Sequence, residues 1–549
     1  MKKVSESTYL TITGVSASIV AFFLVPLKLL NPLSTSWVFQ RNPPFQDLSG
    51  HAIGSMFYAA DSWRLPLGKI GNFGESLGSS TLYWNSNPLF SLIQKVLYKC
   101  HLIPKYFQFI GLEIFLGIVF TAIACYLLSR KLDFSPFASY SSALTVVFST
   151  SLLVHYFNDS LLWQFEILLA MILYRRNGAF PTKYWAALLA FSIWTQAYFL
   201  PIIGIFGVAS IIQKRKHGFS IRALAGAGIF LTINYYLVGG FLLTLRERAT
   251  SLDSARFFSC NMNCLFDSRG AGYSKALLAN YSTWENYRYL GLPILILLFL
   301  LLIYIMTPTS RNIRVTMKEH TSILLICFML LGYSFGPTWK YGTNILFSFP
   351  DSFFTTALFS SFRAVGRFAI PLALILPIFV IGTAFQIING VRSSFKANII
   401  RAILLVILAL QIIEVNQIPR TIHNTSFQGI ANGYIPLASL DKSFSKAEFF
   451  KIVEANTGDV PGLPWQEFSF YALKYSMSID TWHFLARYNY AQAGIEQAQS
   501  VSNAAKCVFS TNTLYLIHKS IFDALNTNCK GHLVEVQSRE EWSFYNFVN

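Results

Sequence analysis

What most limits the fold of this chain is a recurrence. Apolar runs, most near the roughly 20 residues that cross a bilayer core as helix, alternate with shorter polar stretches. Eleven can be placed, at residues 8–30, 106–128, 136–156, 160–174, 184–197, 198–213, 222–243, 291–307, 321–338, 368–390 and 398–415. Only 13% of the residues are charged, against about a quarter in ordinary soluble proteins, and the mean hydropathy is +0.45. The pattern predicts a polytopic α-helical membrane protein. The net charge of +17 does not point to nucleic acid. The basic residues lie between the apolar runs, where they set membrane orientation and form no continuous phosphate-binding groove.

Residues 8–30 follow Lys2 and Lys3. The run is too long for a signal h-region and no small-x-small site follows it, so it reads as a first span with a cytoplasmic N-terminus. The 184–213 stretch can be one long helix or two short ones. Arg175, Arg176 and Lys183 precede it, and Lys214, Arg215, Lys216 and Arg222 follow it. With both flanks cytoplasmic the chain must cross twice, turning near Gln196–Pro201. Arg130/Lys131, Arg311/Arg314/Lys318 and Arg392/Lys396 then also fall inside. Eleven spans place the C-terminus outside, and the long polar segments 31–105, 244–290 and 339–367 with it. The expected organisation is a transmembrane domain over 1–415 and a small periplasmic α/β domain over 416–549. In the tail, Lys446–Asn456 reads as helix, and Lys506–Ser510, Leu514–His518 and His532–Val536 read as strands. In an oxidising periplasm Cys507–Cys529 can staple this domain, and Cys260–Cys264 can close a short loop. The latter pair has no second Cys/His pair nearby, which argues against a metal site.

No P-loop, dinucleotide fingerprint, GxSxG elbow or HExxH is present. The candidate chemistry lies in polar loops assigned to one face. In FQDLSGHAIGSMFYAADSW, residues 45–63, Asp47 and His51 stand four apart, on one face if helical. The stretch reads as a helix lying on the membrane surface. A carboxylate there can accept a proton from an attacking hydroxyl, or be simply a solvated acid. Arg363 and Arg367 lie four apart directly before a span, and two such forks suit a phosphate. They can also anchor the helix by snorkelling, although arginines are disfavoured on an outer flank. Trp284–Gly291 carries Glu285 and Arg288 among aromatics that fit either sugar binding or an interfacial belt. Trp339 and Lys340 offer similar groups. His155, Asn158 and Asp159 sit in a tight outer turn, where a satisfied loop histidine is the plainer reading of His155.

Taken together, FQDLSGHAIGSMFY, YWNSNPLFSLIQKVLYK, FQFIGLEIFL, WENYRYLGLPIL and SFRAVGRFAIP resemble, in order and loop placement, the GT-C superfamily of integral-membrane glycosyltransferases, and more narrowly a bacterial membrane family of that type. The resemblance covers roughly residues 10–415; the tail matches no family. It implies a multi-pass protein of the bacterial inner membrane. Its donor would be a polyprenyl-phosphate-linked sugar and its acceptor an envelope glycan, lipid or protein, with transfer at the periplasmic face and inversion at the anomeric carbon. Carried over by position, Asp47 is the general base, and Arg363 and Arg367 hold the lipid phosphate. His51 orients Asp47 or binds substrate. The superfamily's DxD or ExD is reduced here to one acid, since Asp61 is too distant to pair with Asp47, so no metal and no other cofactor is assigned. Two other classes compete. A transporter or flippase for lipid-linked saccharides would carry charges mid-membrane, where only Glu113 and Glu166 stand out, and would show repeated halves, which are missing. A non-catalytic scaffold would bind envelope saccharides through the outer domain.

Overall fold

The computed structural model describes residues 5–39, 46–73, 79–82, 87–215, 220–241, 252–268, 286–307, 311–359, 362, 364–391, 394–415, 449–453, 465–479, 499, 501–525, 527–539 and 542–547. The chain forms two compact units. The first comprises Met1–Leu30, Gly111–Thr232 and Thr250–Thr425; the second comprises Asn31–Ile110, Ile233–Ala249 and Ser426–Asn549.

The first unit is helical, and each of the eleven apolar runs contains a helix. Four are long and apolar enough to cross a membrane: Glu6–Leu24, Ile110–Lys131, Val365–Asn389 and Ala397–Val415. Pro136–Val147 and Thr150–Tyr156, bent by 42° at their break, make a fifth if taken as one span. Phe199–Lys214, Ile221–Leu237, Leu292–Ile305 and His320–Ser334 are apolar but shorter. Length and apolarity thus support four or five crossings among the described residues, and the expected eleven exceeds what these criteria establish. Local chemistry sets the boundaries. Ser135 caps the helix that follows it, its Oγ accepting from the Ala138 amide at 3.3 Å, with Pro136 in the first turn. The 184–213 stretch is two helices, Thr182–Thr195 and Phe199–Lys214, because Gln196 turns to an extended conformation between them.

Ile370–Asn389 forms the centre of this unit. It is buried on nearly all sides and packs against Pro136–Val147, Leu292–Ile305, Arg311–Ser334 and Ser394–Val415. A helix apolar all round needs such company. Its internal Pro377 fits a setting where neighbouring helices satisfy the freed backbone.

The second unit contains the first polar loop and the tail. Gln46–Ala60 packs against Pro88–Lys99, which Asn87 caps through its Oδ1 and the Phe90 amide at 3.4 Å. Trp465–Lys474 packs on Gln46–Ala60, and the Phe470 ring stacks on Tyr106 at 5.1 Å and meets Phe39 edge-on at 5.3 Å. The tail folds a five-stranded mixed sheet in the order Ser478–Ile479, Phe449–Val453, Thr513–His518, Trp542–Phe547, Leu533–Arg539. The first three strands run parallel; the last two are antiparallel to their neighbours. Thr513 through Ile517 are all buried, as in a strand covered on both faces. Cys507 and Cys529 are disulfide-bonded beside this core.

Three expectations are corrected here. Phe449–Val453, inside the segment read as helix, is a strand, because its FFKIV run pairs with Thr513–Ile517 and is mostly β-branched and aromatic. Residues 506–510 are not a strand but the turn after a short helix, with Cys507 at φ +60°. Gln46–Ala60 is not a surface-lying helix. From Leu48 to Ala59 every residue is buried, whereas an interfacial helix keeps one polar face in water.

Candidate functional site

Of the sequence candidates, the second unit carries Asp47 and His51, one helical turn apart at the start of Gln46–Ala60. Asp47 is half-buried and His51 is buried. Asp61, at the other end of this helix, is fully engaged. Its carboxylate accepts from the Arg64 Nε at 2.9 Å, the Gly71 amide at 2.7 Å and the Ser62 amide at 2.9 Å. The helix terminus is closed by two lysines of Pro88–Lys99. Lys95 Nζ donates to the Ser62 carbonyl at 2.9 Å and lies 4.2 Å from the Tyr58 ring centroid, while Lys99 Nζ donates to the Ala60 carbonyl at 3.1 Å. Cations at the negative end of a helix are favourable. Lys95 is nevertheless fully buried, and burial brings its ammonium down to about 8, with Asp61 pulling the other way.

The first unit brings His155, Arg288 and Arg367 together. All three are buried, and both guanidinium groups stand close enough to act electrostatically on the same imidazole. Among the described residues His155 Nε2 and Gln164 Oε1 are buried without a hydrogen-bond partner. Such atoms in a native fold call for water or a ligand. Each of the three residues is held on an irregular segment. His155 lies in the 3₁₀ turn Val154–Phe157, Arg367 in the 3₁₀ turn Val365–Ala369 before the central helix, and Arg288 in the extended stretch before Leu292–Ile305. The Arg367 guanidinium stacks 4.2 Å from the Tyr198 ring centroid, a cation–π contact that suits a buried guanidinium. Arg288 donates to the Tyr287 carbonyl at 2.8 Å.

Hydrogen bonds lock these segments to one another. Asn286 Nδ2 donates to the Ser259 carbonyl at 2.6 Å, the Gly366 amide to the Phe258 carbonyl at 3.0 Å, and the Leu290 amide to the Leu265 carbonyl at 3.1 Å. Tyr287 OH donates to the Ser268 carbonyl at 2.7 Å, and Tyr289 OH to Glu414 Oε1 at 2.7 Å. Gly366 is required, since a Cβ there would fall 2.2 Å from Asn286 Oδ1. Gly291 sits at φ +89°, and a Cβ there would strike the Gln411 amide, whose Nε2 donates to the Leu290 carbonyl at 2.9 Å.

Other residues singled out by the sequence lie in the same unit. Cys260 and Cys264 are free, buried thiols rather than a disulfide. Burial alone raises a thiol. For Cys260 the Cys264 hydrogen bond and the Arg288 charge more than offset it, leaving Cys260 below the ordinary thiol range and Cys264 well above. The Glu113 and Asp159 carboxyls are both buried and close enough to interact. Glu166 Oε1 accepts from Thr195 Oγ1 at 2.6 Å, and Gln196 Nε2 donates to Ser160 Oγ at 2.7 Å. Trp339 and Lys340 lie half-buried in the hairpin of Thr338–Tyr341 and Asn344–Ser348, Trp339 edge-on to Phe335 at 5.4 Å and to Phe347 at 6.3 Å. Glu285 and Arg363 lie outside the described residues, so the Arg363–Arg367 pair expected on one helical turn has only Arg367 placed. Among the described residues no three His, Cys, Asp or Glu side chains group as a metal ion would need.

Fold and site together define a multi-helix membrane protein with a buried cationic centre at the ends of its helices. The chain belongs to the family described as "Domain of unknown function (DUF6311)", which matches residues 14–416. The comparison with curated proteins gives no match. Among solved structures it is similar to the cryo-EM structure of arabinofuranosyltransferase AftD from Mycobacteria, at 11% identity and a TM-score of 0.47, covering 100% of this chain and 40% of that one.

Proposed function

We propose that this protein is a GT-C-type membrane glycosyltransferase that moves a sugar from a polyprenyl-phosphate carrier to a cell-envelope acceptor. The observation that carries the reading is the pair of buried guanidinium groups, Arg288 and Arg367, close enough to act electrostatically on one imidazole, that of His155. A phosphate bound there would meet two forked donors in a low-dielectric setting, where such contacts are strong. The order of motifs along residues 10–415 supplies the rest. In the reaction the acceptor oxygen attacks the anomeric carbon and the carbon–oxygen bond to the phosphate breaks with inversion. Polyprenyl phosphate departs with the electron pair. The acceptor proton passes to a base, which the family resemblance assigns to Asp47, with His51 beside it. Arg288 and Arg367, with Arg363, stabilise the charge that develops on the leaving phosphate. His155 contacts the donor, while Glu285, Trp339 and Lys340 contact sugar. In this reading the chain crosses the bacterial inner membrane eleven times, with a cytoplasmic N-terminus and a periplasmic tail, as the short basic loops support.

The buried carboxyls Glu113, Asp159 and Glu166 favour one alternative, a transporter of lipid-linked saccharides that exchanges protons within its helical unit. The discriminating experiment measures donor binding and sugar transfer separately in purified protein. A positioned base contributes about 10² to 10⁴ in rate, so Asp47→Asn is expected to lose transfer by that factor and keep donor binding. Arg367→Ala is expected to weaken donor binding as well as turnover, because a phosphate contact precedes the transition state. Full transfer in Asp47→Asn would remove Asp47 from the chemistry. A wild-type protein that binds the donor and never transfers sugar would select the transporter.

A further inference from the structure

The hairpin Thr338–Tyr341 and Asn344–Ser348 begins four residues after the helix Arg311–Ser334 ends. The same loop continues through the short helix Phe353–Phe359 to the turn that holds Arg367. Its composition runs against that of a water-facing loop. Ile345, Leu346 and Phe347 are 63%, 60% and 49% exposed, and Phe353 and Phe354 are 84% and 72% exposed. All five residues of Asn344–Ser348 are exposed, and the rings that Phe347 meets among the described residues are its loop neighbours, Trp339 at 6.3 Å and Phe349 at 4.8 Å. The register shift places Leu346 as an extra residue between the Trp339–Phe347 and Lys340–Ile345 pairs, a bulge that widens the apolar tip.

We propose that this hairpin and the start of Phe353–Phe359 are immersed in the membrane surface at headgroup and upper acyl-chain depth, where they anchor the loop that carries Arg367. Three observations select lipid over a protein partner. Apolar side chains open on both faces suit a medium that surrounds the strand, whereas a docking protein would cover one face and leave the other in water. The loop also leads directly into Val365–Asn389, a helix long and apolar enough to cross a membrane, so it lies near a membrane boundary. Finally, Lys340 is the only charged residue between 338 and 350, so the hairpin carries little charge that would need water. Depth is bounded from the other side by the backbone. Among the described residues no strand lies beside the outer edge of Asn344–Ser348, which the hydrocarbon centre does not tolerate and the hydrated interface does; the outer edge of Thr338–Tyr341 is held to the protein, the Lys340 carbonyl accepting from the Met262 amide at 2.9 Å. At the base of the loop, Asp351 pairs with Arg256, which also pairs with Asp253 at 3.0 Å, a polar rim of the kind that stays in water. This inference depends on the membrane assignment and not on the glycosyltransferase reading.

The test uses the full chain in phospholipid nanodiscs. Cys100, the exposed free thiol, is replaced by serine, and Leu346→Cys is labelled with an environment-sensitive fluorophore; Val508→Cys in the sheet domain, similarly exposed at 58%, serves as the comparison. The label at 346 is expected to lose intensity when the lipids carry brominated acyl chains and to be shielded from aqueous iodide. Quenching by iodide with no response to bromine would overturn the proposal by placing the tip in water. Shielding from both quenchers would overturn it equally, since the tip would then be covered by protein, this chain's or another copy's.

Discussion

Lys95 offers a direct test of how the Gln46–Ala60 helix is held. Its ammonium is buried against Tyr58 and Trp63 and donates to the Ser62 carbonyl. Burial brings it from the ordinary 10.5 down to about 8. Because the folded value lies below the unfolded one, the unfolded chain holds more protons between them. Stability must therefore rise with pH through that window, and the gain is lost as pH falls through the folded value. From about pH 7 to about pH 9.5 the ratio of proton-binding terms grows about 30-fold, or about 2 kcal/mol. Lys95→Met removes the titration while keeping an unbranched apolar stem. The measurement is urea unfolding of the full chain in detergent, read by proteolysis within residues 31–110. Wild type is expected to gain about 2 kcal/mol between the two pH values relative to Lys95→Met. Other titrating groups cancel in that difference. A variant with the same pH slope as wild type would refute the assignment of a destabilised buried cation to this site.

Two further outcomes follow from packing and covalent structure. The Cys507–Cys529 bridge closes a loop of 22 residues, so replacing both by alanine is expected to destabilise the sheet domain by about 3 kcal/mol, read as earlier urea-induced proteolysis of the tail. Gly366→Ala is expected to cost about 1–3 kcal/mol and lower the thermal midpoint in detergent, because the new Cβ meets Asn286 Oδ1 at 2.2 Å and the Phe258 carbonyl oxygen at 2.8 Å. Gly332→Ala, inside the helix Arg311–Ser334 and with no heavy atom within 4 Å of the new Cβ, is the control and leaves the midpoint unchanged or slightly raised.

The helical unit was legible because apolar length is a one-dimensional signal, and the eleven runs map onto helices for that reason. Crossing number was less so. A run such as Phe199–Lys214 is apolar throughout yet shorter than the bilayer core, and composition cannot say whether it spans alone. In the tail, Leu514–His518 stood out as a strand. Phe449–Val453 did not, since its strand state comes from pairing with residues more than sixty positions away. Burial of Gln46–Ala60 was hidden for the same reason. Part of its cover is Trp465–Lys474, over four hundred residues further along the chain. Arg288 and Arg367 were found by their position just before spans, but nothing local in the sequence links either one to His155.

That asymmetry has a physical cause. Within the bilayer, backbone outside regular helices is tolerated only where protein or a polar cavity satisfies it. Among the described residues of the first unit, four irregular segments sit at helix ends: Val154–Phe157, Asp159–Leu162, the stretch before Leu292 and Val365–Ala369. The same segments carry His155, Asp159, Arg288 and Arg367, while Glu113 sits in the first turn of its helix. Helix interiors supply walls whose sequence needs only to be apolar. Helix ends have backbone groups left over from the intrahelical ladder, and polar side chains lodge there at least cost. A reader of sequence therefore recovers the walls from hydropathy and can list the polar residues at their ends. Which ends meet is decided by how the helices pack around Ile370–Asn389, and that information is spread over the whole apolar surface.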